Sequence, residues 1–216
     1  MLPSDLLERL FSLPLFILSL TIHEWAHAWS AFRLGDDTAA SQGRLTLNPI
    51  PHIDFFGTIL LPLLSPIPFG WAKPVPVNPA RFRRGVSMAG GMAVTASAGP
   101  ISNLLLAVAG AVAIGLVYRL APETRSADST AMPILTQLVV LNVSLAVFNL
   151  IPVPPLDGSR VVAWLMPRAL QDGWRQIEGF APLLLIAVFM FGGRLAAGPM
   201  NAVFHQLAHL VRLIAT

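Results

Sequence analysis

The chain has 216 residues, of which 55% are hydrophobic and only 12% charged, and its formal net charge is +3. A water-soluble domain carries about 25% charged residues, so these numbers point to a polytopic membrane protein and argue against a nucleic-acid binder, a collagen-like repeat and long disorder. With no cysteine there are no disulfides, no Cys-type zinc sites and no thiol catalysis, and 19 prolines with 16 glycines foretell interrupted helices.

In chain order, the first apolar run is Leu6 to Ile22. No cleavable signal pattern follows it, because the run continues through His23-Glu24 towards Arg33, long enough in all to cross a bilayer. Phe55 to Phe69 is apolar but short and contains Pro62, Pro66 and Pro68. Non-helical backbone at membrane depth survives only where protein or trapped water shelters it, so this stretch is expected to be re-entrant. Val86–Tyr118 and Ala131–Ile151 are long enough to span. Phe180–Gly193 is a shorter candidate that can begin near Trp174, and Leu195–Thr216 is mixed.

The expected fold is therefore an all-α polytopic membrane protein of about 4–6 membrane helices, with a small re-entrant β element between the first two long helices. No repeat, linker or low-complexity stretch divides residues 1–216, which read as one domain. If 55–69 does not cross, residues 34–91 and 152–178 share a side and hold Arg44, Lys73, Arg81, Arg83, Arg84, Arg160, Arg168 and Arg175. That excess places the side in the cytoplasm and the N-terminus outside.

The first helix carries His23-Glu24-Trp25-Ala26-His27, an H-E-x-x-H. Positions i and i+4 lie one turn apart on one helix face, so both imidazoles can reach one ion, with Glu24 beside them as a general base for water. The bland alternative is an interfacial cluster at a headgroup boundary. Ionisable groups inside a membrane helix are costly and usually functional, which favours the site. Two histidines leave a catalytic zinc one protein ligand short. The candidate is Asp157, after the run Asn149-Leu150-Ile151-Pro152-Val153-Pro154-Pro155-Leu156 and before a helical stretch to Leu165. An isolated Asp there would be read as a helix N-cap. The need for a carboxylate, and the matching depth of Asp157 and His27 in the expected topology, favour the ligand.

H-E-x-x-H, then Ala98-Gly99-Pro100 with Asn103, then N-x-x-P-x-P-P-L-D-G together resemble the site-2 protease family of intramembrane zinc metalloproteases, in its compact prokaryotic branch without PDZ or CBS domain. Gly43–Pro49, His52-Ile53-Asp54 and Gly70–Pro79 resemble that branch as well, so the likeness covers about residues 20–165, and the tail 166–216, of one or two further helices, carries no transferable motif. The resemblance implies His23, His27 and Asp157 as ligands of one Zn2+, Glu24 as the catalytic base, Asn103 as a polar residue near the site, and Asn149 and Pro152 in a segment that helps hold substrate. It also implies a multi-pass protein of the cell membrane whose active site lies towards the cytoplasm. The partners are then the lipid bilayer and a transmembrane protein or peptide substrate, cut for signalling or for signal-peptide clearance, and no nucleic acid.

Two readings stand for Asn103: an oxyanion donor or an interhelical hydrogen bond among small residues. A transmembrane substrate must expose an extended segment whose backbone groups need partners. In Ala72–Asn78, Pro74 and Pro76 lack donors while Val75 and Val77 keep theirs, so this segment, with Leu45–Leu47, is expected to form a small sheet that adds the substrate as a strand. His52 is either a structural histidine, a resting-state fourth ligand or a donor behind the ligands. His205 and His209 form a second i, i+4 pair without an adjoining glutamate, in a pattern that reads as an amphipathic helix. The competing functions are a membrane metal-binding or metal-transport protein, and an inactive protease-like scaffold.

Overall fold

The computed structural model describes residues 4–64, 70–121 and 131–216. Eight α-helices and three shorter helical turns form among them, and no strand does. The chain divides into two compact units, Met1–Gly99 and Pro100–Thr216.

In the first unit, α1 (Ser4–Arg33) covers the first expected run, and its 30 residues rise about 45 Å. Its C-terminal end carries Trp25 stacked on Trp29 at 6.0 Å, with the Arg33 guanidinium 5.7 Å over the Trp29 ring. The short helix α2 (Thr38–Ser41) follows. The apolar stretch expected to be re-entrant begins with a π-helical turn, Phe55–Leu60, which runs directly into α3 (Leu61–Leu64). Residues 65–69 lie outside the described residues.

The expected β element is not found, and the reason is where the donors of the returning leg, 70–78, go. Trp71 N–H donates to Gly57 O (3.1 Å) and Lys73 N–H to His52 O (2.9 Å). Val75 N–H donates to Glu24 (2.9 Å) and Asn78 N–H to Asp36 (2.6 Å). Pro74 and Pro76 have no donor. A ladder needs successive main-chain partners on one neighbouring strand; here they come from the carbonyls of two helical turns and from two carboxylates.

Long helix α4 (Met88–Leu120) begins in the first unit and passes into the second at Gly99-Pro100. The second unit continues with α5 (Ala131–Asn149), α6 (Asp157–Leu165), α7 (Arg168–Glu178) and α8 (Ala181–Ala215). Its core joins Ala107 and Ala111 of α4, Val139, Val143 and Val147 of α5, and Val188, Ala196 and Leu207 of α8. Small residues on α4 let neighbouring helices approach, which is how membrane helices gain packing without a hydrophobic drive between them.

Among the described residues, three helices are long and apolar enough to cross a membrane: α4, α5 and α8. The structure corrects the C-terminal expectation. The short run 180–193 and the mixed tail join into a single 35-residue helix across Gly192, Gly193 and Pro199, since neighbouring helices and local adjustments re-satisfy the backbone at such residues in lipid. Trp174 belongs instead to the separate helix α7.

Candidate metal centre

One turn of α1 buries three titratable side chains: His23 is 4% exposed, Glu24 9% and His27 8%. The helical i, i+4 spacing brings the two Nε2 atoms to 3.0 Å, with the rings edge to face. Two imidazole nitrogens bound tetrahedrally at the usual zinc distance sit ~3.3 Å apart, so the pair is already close to the spacing a shared ion requires. His27 Nδ1 lies 2.7 Å from Thr95 O. A carbonyl only accepts, so Nδ1 carries the proton and Nε2 presents its lone pair, the usual arrangement behind a metal-binding histidine.

Gly99 of α4 closes this face. A Cβ there would lie 2.5 Å from His27 Nε2 and 2.6 Å from His23 Nε2. The imidazoles therefore have their space only because residue 99 has no side chain. The donor set, its convergence and this cradle fit a divalent ion such as zinc.

Glu24 accepts from Val75 N–H at 2.9 Å. The N–H expected to bind a substrate strand is thus committed to Glu24, and a substrate would gain it only by displacing that carboxylate. Val77 is half-buried. His52, 2% exposed, donates from Nε2 to Thr46 O (2.9 Å), and its own carbonyl receives Lys73 N–H, so it ties the segment around Thr46 to the returning leg, 70–78. Arg44 (6% exposed) reaches Lys73 O, and Asp36 (fully buried) accepts from Asn78 N–H and Thr38 N–H. Thr95, Gly99, Arg44 and Asp36 had no place among the expected site residues. Only Gly99, beside Pro100 in a long helix, stood out as a small residue.

The remaining expected residues lie in the second unit. Asp157 is the first residue of α6, and Leu156 takes the cap position without a side-chain bond. Asp157 is therefore not the N-cap of that helix, and its Oδ2 is buried. Its place is fixed by Gly158, where a Cβ would lie 2.2 Å from Leu150 O; the chain folds back on itself after α5 too tightly for any side chain. Asn103 and Asn142 are both fully buried, and Asn103 Nδ2 donates to Asn142 Oδ1 at 2.8 Å. Asn149 bonds back to Leu145 O on its own helix, and Pro152 is exposed. His205 and His209 are exposed on α8, and no cluster of metal-ligating residues includes them among the described residues.

A helix-borne H-E-x-x-H whose imidazoles converge in a membrane protein defines a metallopeptidase-type site. Comparison with known proteins gives the same class. Residues 114–191, which include the Asp157 segment, match the model of peptidase family M50. The chain is 42% identical over 175 residues to "Putative zinc metalloprotease YwhC" of Bacillus subtilis, covering 81% of this chain and 77% of that protein. It is 31% identical over 143 residues to "Putative zinc metalloprotease Rip2" of Mycolicibacterium smegmatis (66% of this chain, 52% of that protein), and 27% identical over 175 residues to the Rip2 of Mycobacterium tuberculosis (81% and 64%). No solved structure matches the chain. The chain belongs to peptidase family M50 and is a membrane-embedded zinc metalloprotease.

Proposed function

We propose that the protein hydrolyses peptide bonds in or near transmembrane segments of other membrane proteins, with His23, His27 and Asp157 as the three protein ligands of one zinc and Glu24 as the base. The observation that carries this reading is the 3.0 Å approach of two buried imidazole nitrogens one residue from a buried carboxylate. Asp157 is supported by its segment within the family match and by the need for a third ligand beside two histidines.

Bound zinc supplies a Lewis acid for the scissile carbonyl and makes water a competent nucleophile near neutral pH. Glu24 accepts the proton of the attacking water and delivers it to the departing amine. Val75 N–H holds one oxygen of that carboxylate, and Thr95 O fixes the His27 tautomer. For Asn103 the reading is a clasp to Asn142, to whose Oδ1 its Nδ2 donates. Asn149 and Pro152, with Val77, are proposed to border the substrate's path.

The protein is proposed to span the cell membrane with α1, α4, α5 and α8, its active site towards the cytoplasm. The support is the arginine and lysine excess in 34–91 and 152–178, together with the Trp25–Trp29–Arg33 ladder at one end of α1, where aromatic residues favour a membrane boundary. Glu24→Gln is the test. Cleavage of a single-span substrate should vanish while zinc content stays at the unmodified level. Persistent cleavage, or zinc flux without a peptide product from the unmodified protein, would refute the assignment.

A further inference from the structure

The strap Lys73–Asn78 is fastened at four points inside the first unit. His52 O receives Lys73 N–H, Arg44 donates to Lys73 O at 2.5 Å, Glu24 receives Val75 N–H, and Asp36 receives Asn78 N–H. Holding a carbonyl such as Lys73 O requires only a neutral donor. Here a guanidinium does it, at 6% exposure. Burying a cation is costly unless an opposite charge answers it. Burial lowers the pKa of Arg44, and the negative charge of Glu24 offsets part of that cost. Arg44 Nε is also buried without a hydrogen-bond partner among the described residues, a cost that mere loop anchoring would not explain.

We propose that Arg44 is a positioning residue for the base: its guanidinium fixes Lys73, Lys73 fixes the strap, and the strap's next available donor, Val75 N–H, holds the Glu24 carboxylate in its working orientation. The chain of contacts runs Arg44 to Lys73 O to Val75 N to Glu24 Oε2, with Pro74 between the two strap residues limiting the backbone freedom of the link. Asp36 holds the far end, so the strap cannot slide along α1. Arginine suits the first link because its rigid fork places donors in fixed directions while its charge cannot be lost.

This inference rests on the reading of Glu24 as the base. The test uses the full chain reconstituted with a single-span peptide substrate, measuring kcat, KM and zinc per chain for Arg44→Ala, Arg44→Lys and Glu24→Gln. Misplacing a catalytic group by an ångström costs about 10²-fold, so Arg44→Ala should lower kcat by about that factor. KM should stay within about twofold and zinc content should not change. Arg44→Lys keeps a cation and a donor for Lys73 O and should recover at least about tenfold of the loss. Wild-type kcat in Arg44→Ala overturns the proposal. So does a loss expressed in KM, a loss that follows zinc, or one that lysine leaves unrepaired. Active Glu24→Gln would instead remove the base assignment itself; inactive Glu24→Gln beside fully active Arg44→Ala removes only the role of Arg44.

Discussion

Two regions of the molecule meet at Glu24: the turn His23–His27 of α1 and the strap Lys73–Asn78. In the first, everything follows from the helix. Four residues make one turn, so the imidazoles converge wherever α1 forms. In the second, Pro74 and Pro76 restrict the backbone locally, but distant residues decide what it meets. The strap's partners are Asp36, Arg44, His52 and Glu24, the last of them 51 residues away in sequence. The contrast teaches that the convergence of the two imidazoles is a local property of the chain, while the orientation of the Glu24 carboxylate is a tertiary one.

The sharpest way to break the local half is at Gly99. An added Cβ would stand 2.5–2.6 Å from both histidines, too close for backbone that belongs to a helix to yield. Gly99→Ala should therefore strip most zinc from the purified protein and take activity with it. Gly193→Ala, where a Cβ meets nothing within 4 Å, should keep both. Metal analysis of the two variants decides the matter, and a Gly99→Ala protein holding full zinc would show that the imidazoles do not need that space. Chelation of the unmodified protein should likewise abolish cleavage, and added zinc should restore it.

Gly158→Ala applies the same logic to the proposed third ligand. The new methyl would collide with Leu150 O at 2.2 Å and push the start of α6 away from its place. Zinc affinity should fall by about 10–100-fold, the range seen when the support of a ligand is disturbed. Unchanged affinity would argue that Asp157 does not hold the metal.

The tertiary half is tested at Val75. Val75→Pro removes the N–H that donates to the Glu24 carboxylate and leaves α1 untouched. Turnover should drop about 10²-fold with zinc retained. A change confined to KM would instead return Val75 to the substrate-pairing role that the proline pattern first suggested.

How much was legible follows the same division. Helices α1, α4 and α5 stand close to their apolar runs, because in lipid a run of that length has little choice but to be helical. H-E-x-x-H was readable as a metal site because its geometry is contained in five residues. The strap was misread as β because Pro74 and Pro76 correctly announced extended, one-sided backbone, but the sequence pattern does not say whether the free donors meet a strand or a carboxylate. The C-terminal run reads as ending at Gly193 because glycine weakens a helix in water, where no neighbouring helix repairs the loss. Arg44 and Asp36 looked like ordinary loop charges; only the fold reveals that both are buried.

Asn103 carries the smallest expected effect and the closest discrimination. Sequence left an oxyanion donor and an interhelical bond equally open. The structure sets its amide on Asn142, whose own Nδ2 continues the chain of bonds to Leu138 O at 2.9 Å. Both side chains are fully buried. Asn103→Ala removes the donor to Asn142 Oδ1 and leaves a buried acceptor unsatisfied, which costs about 1–3 kcal/mol of stability. If the amide is a clasp, that loss should appear as a lower unfolding midpoint, with kcat within a few-fold of the unmodified protein. An oxyanion donor would behave otherwise: its removal lowers kcat by about 10²–10³-fold. The two expectations differ by more than a decade in rate. A single kinetic measurement at a temperature well below the unfolding midpoint therefore separates them, because there the stability loss no longer changes the amount of folded enzyme.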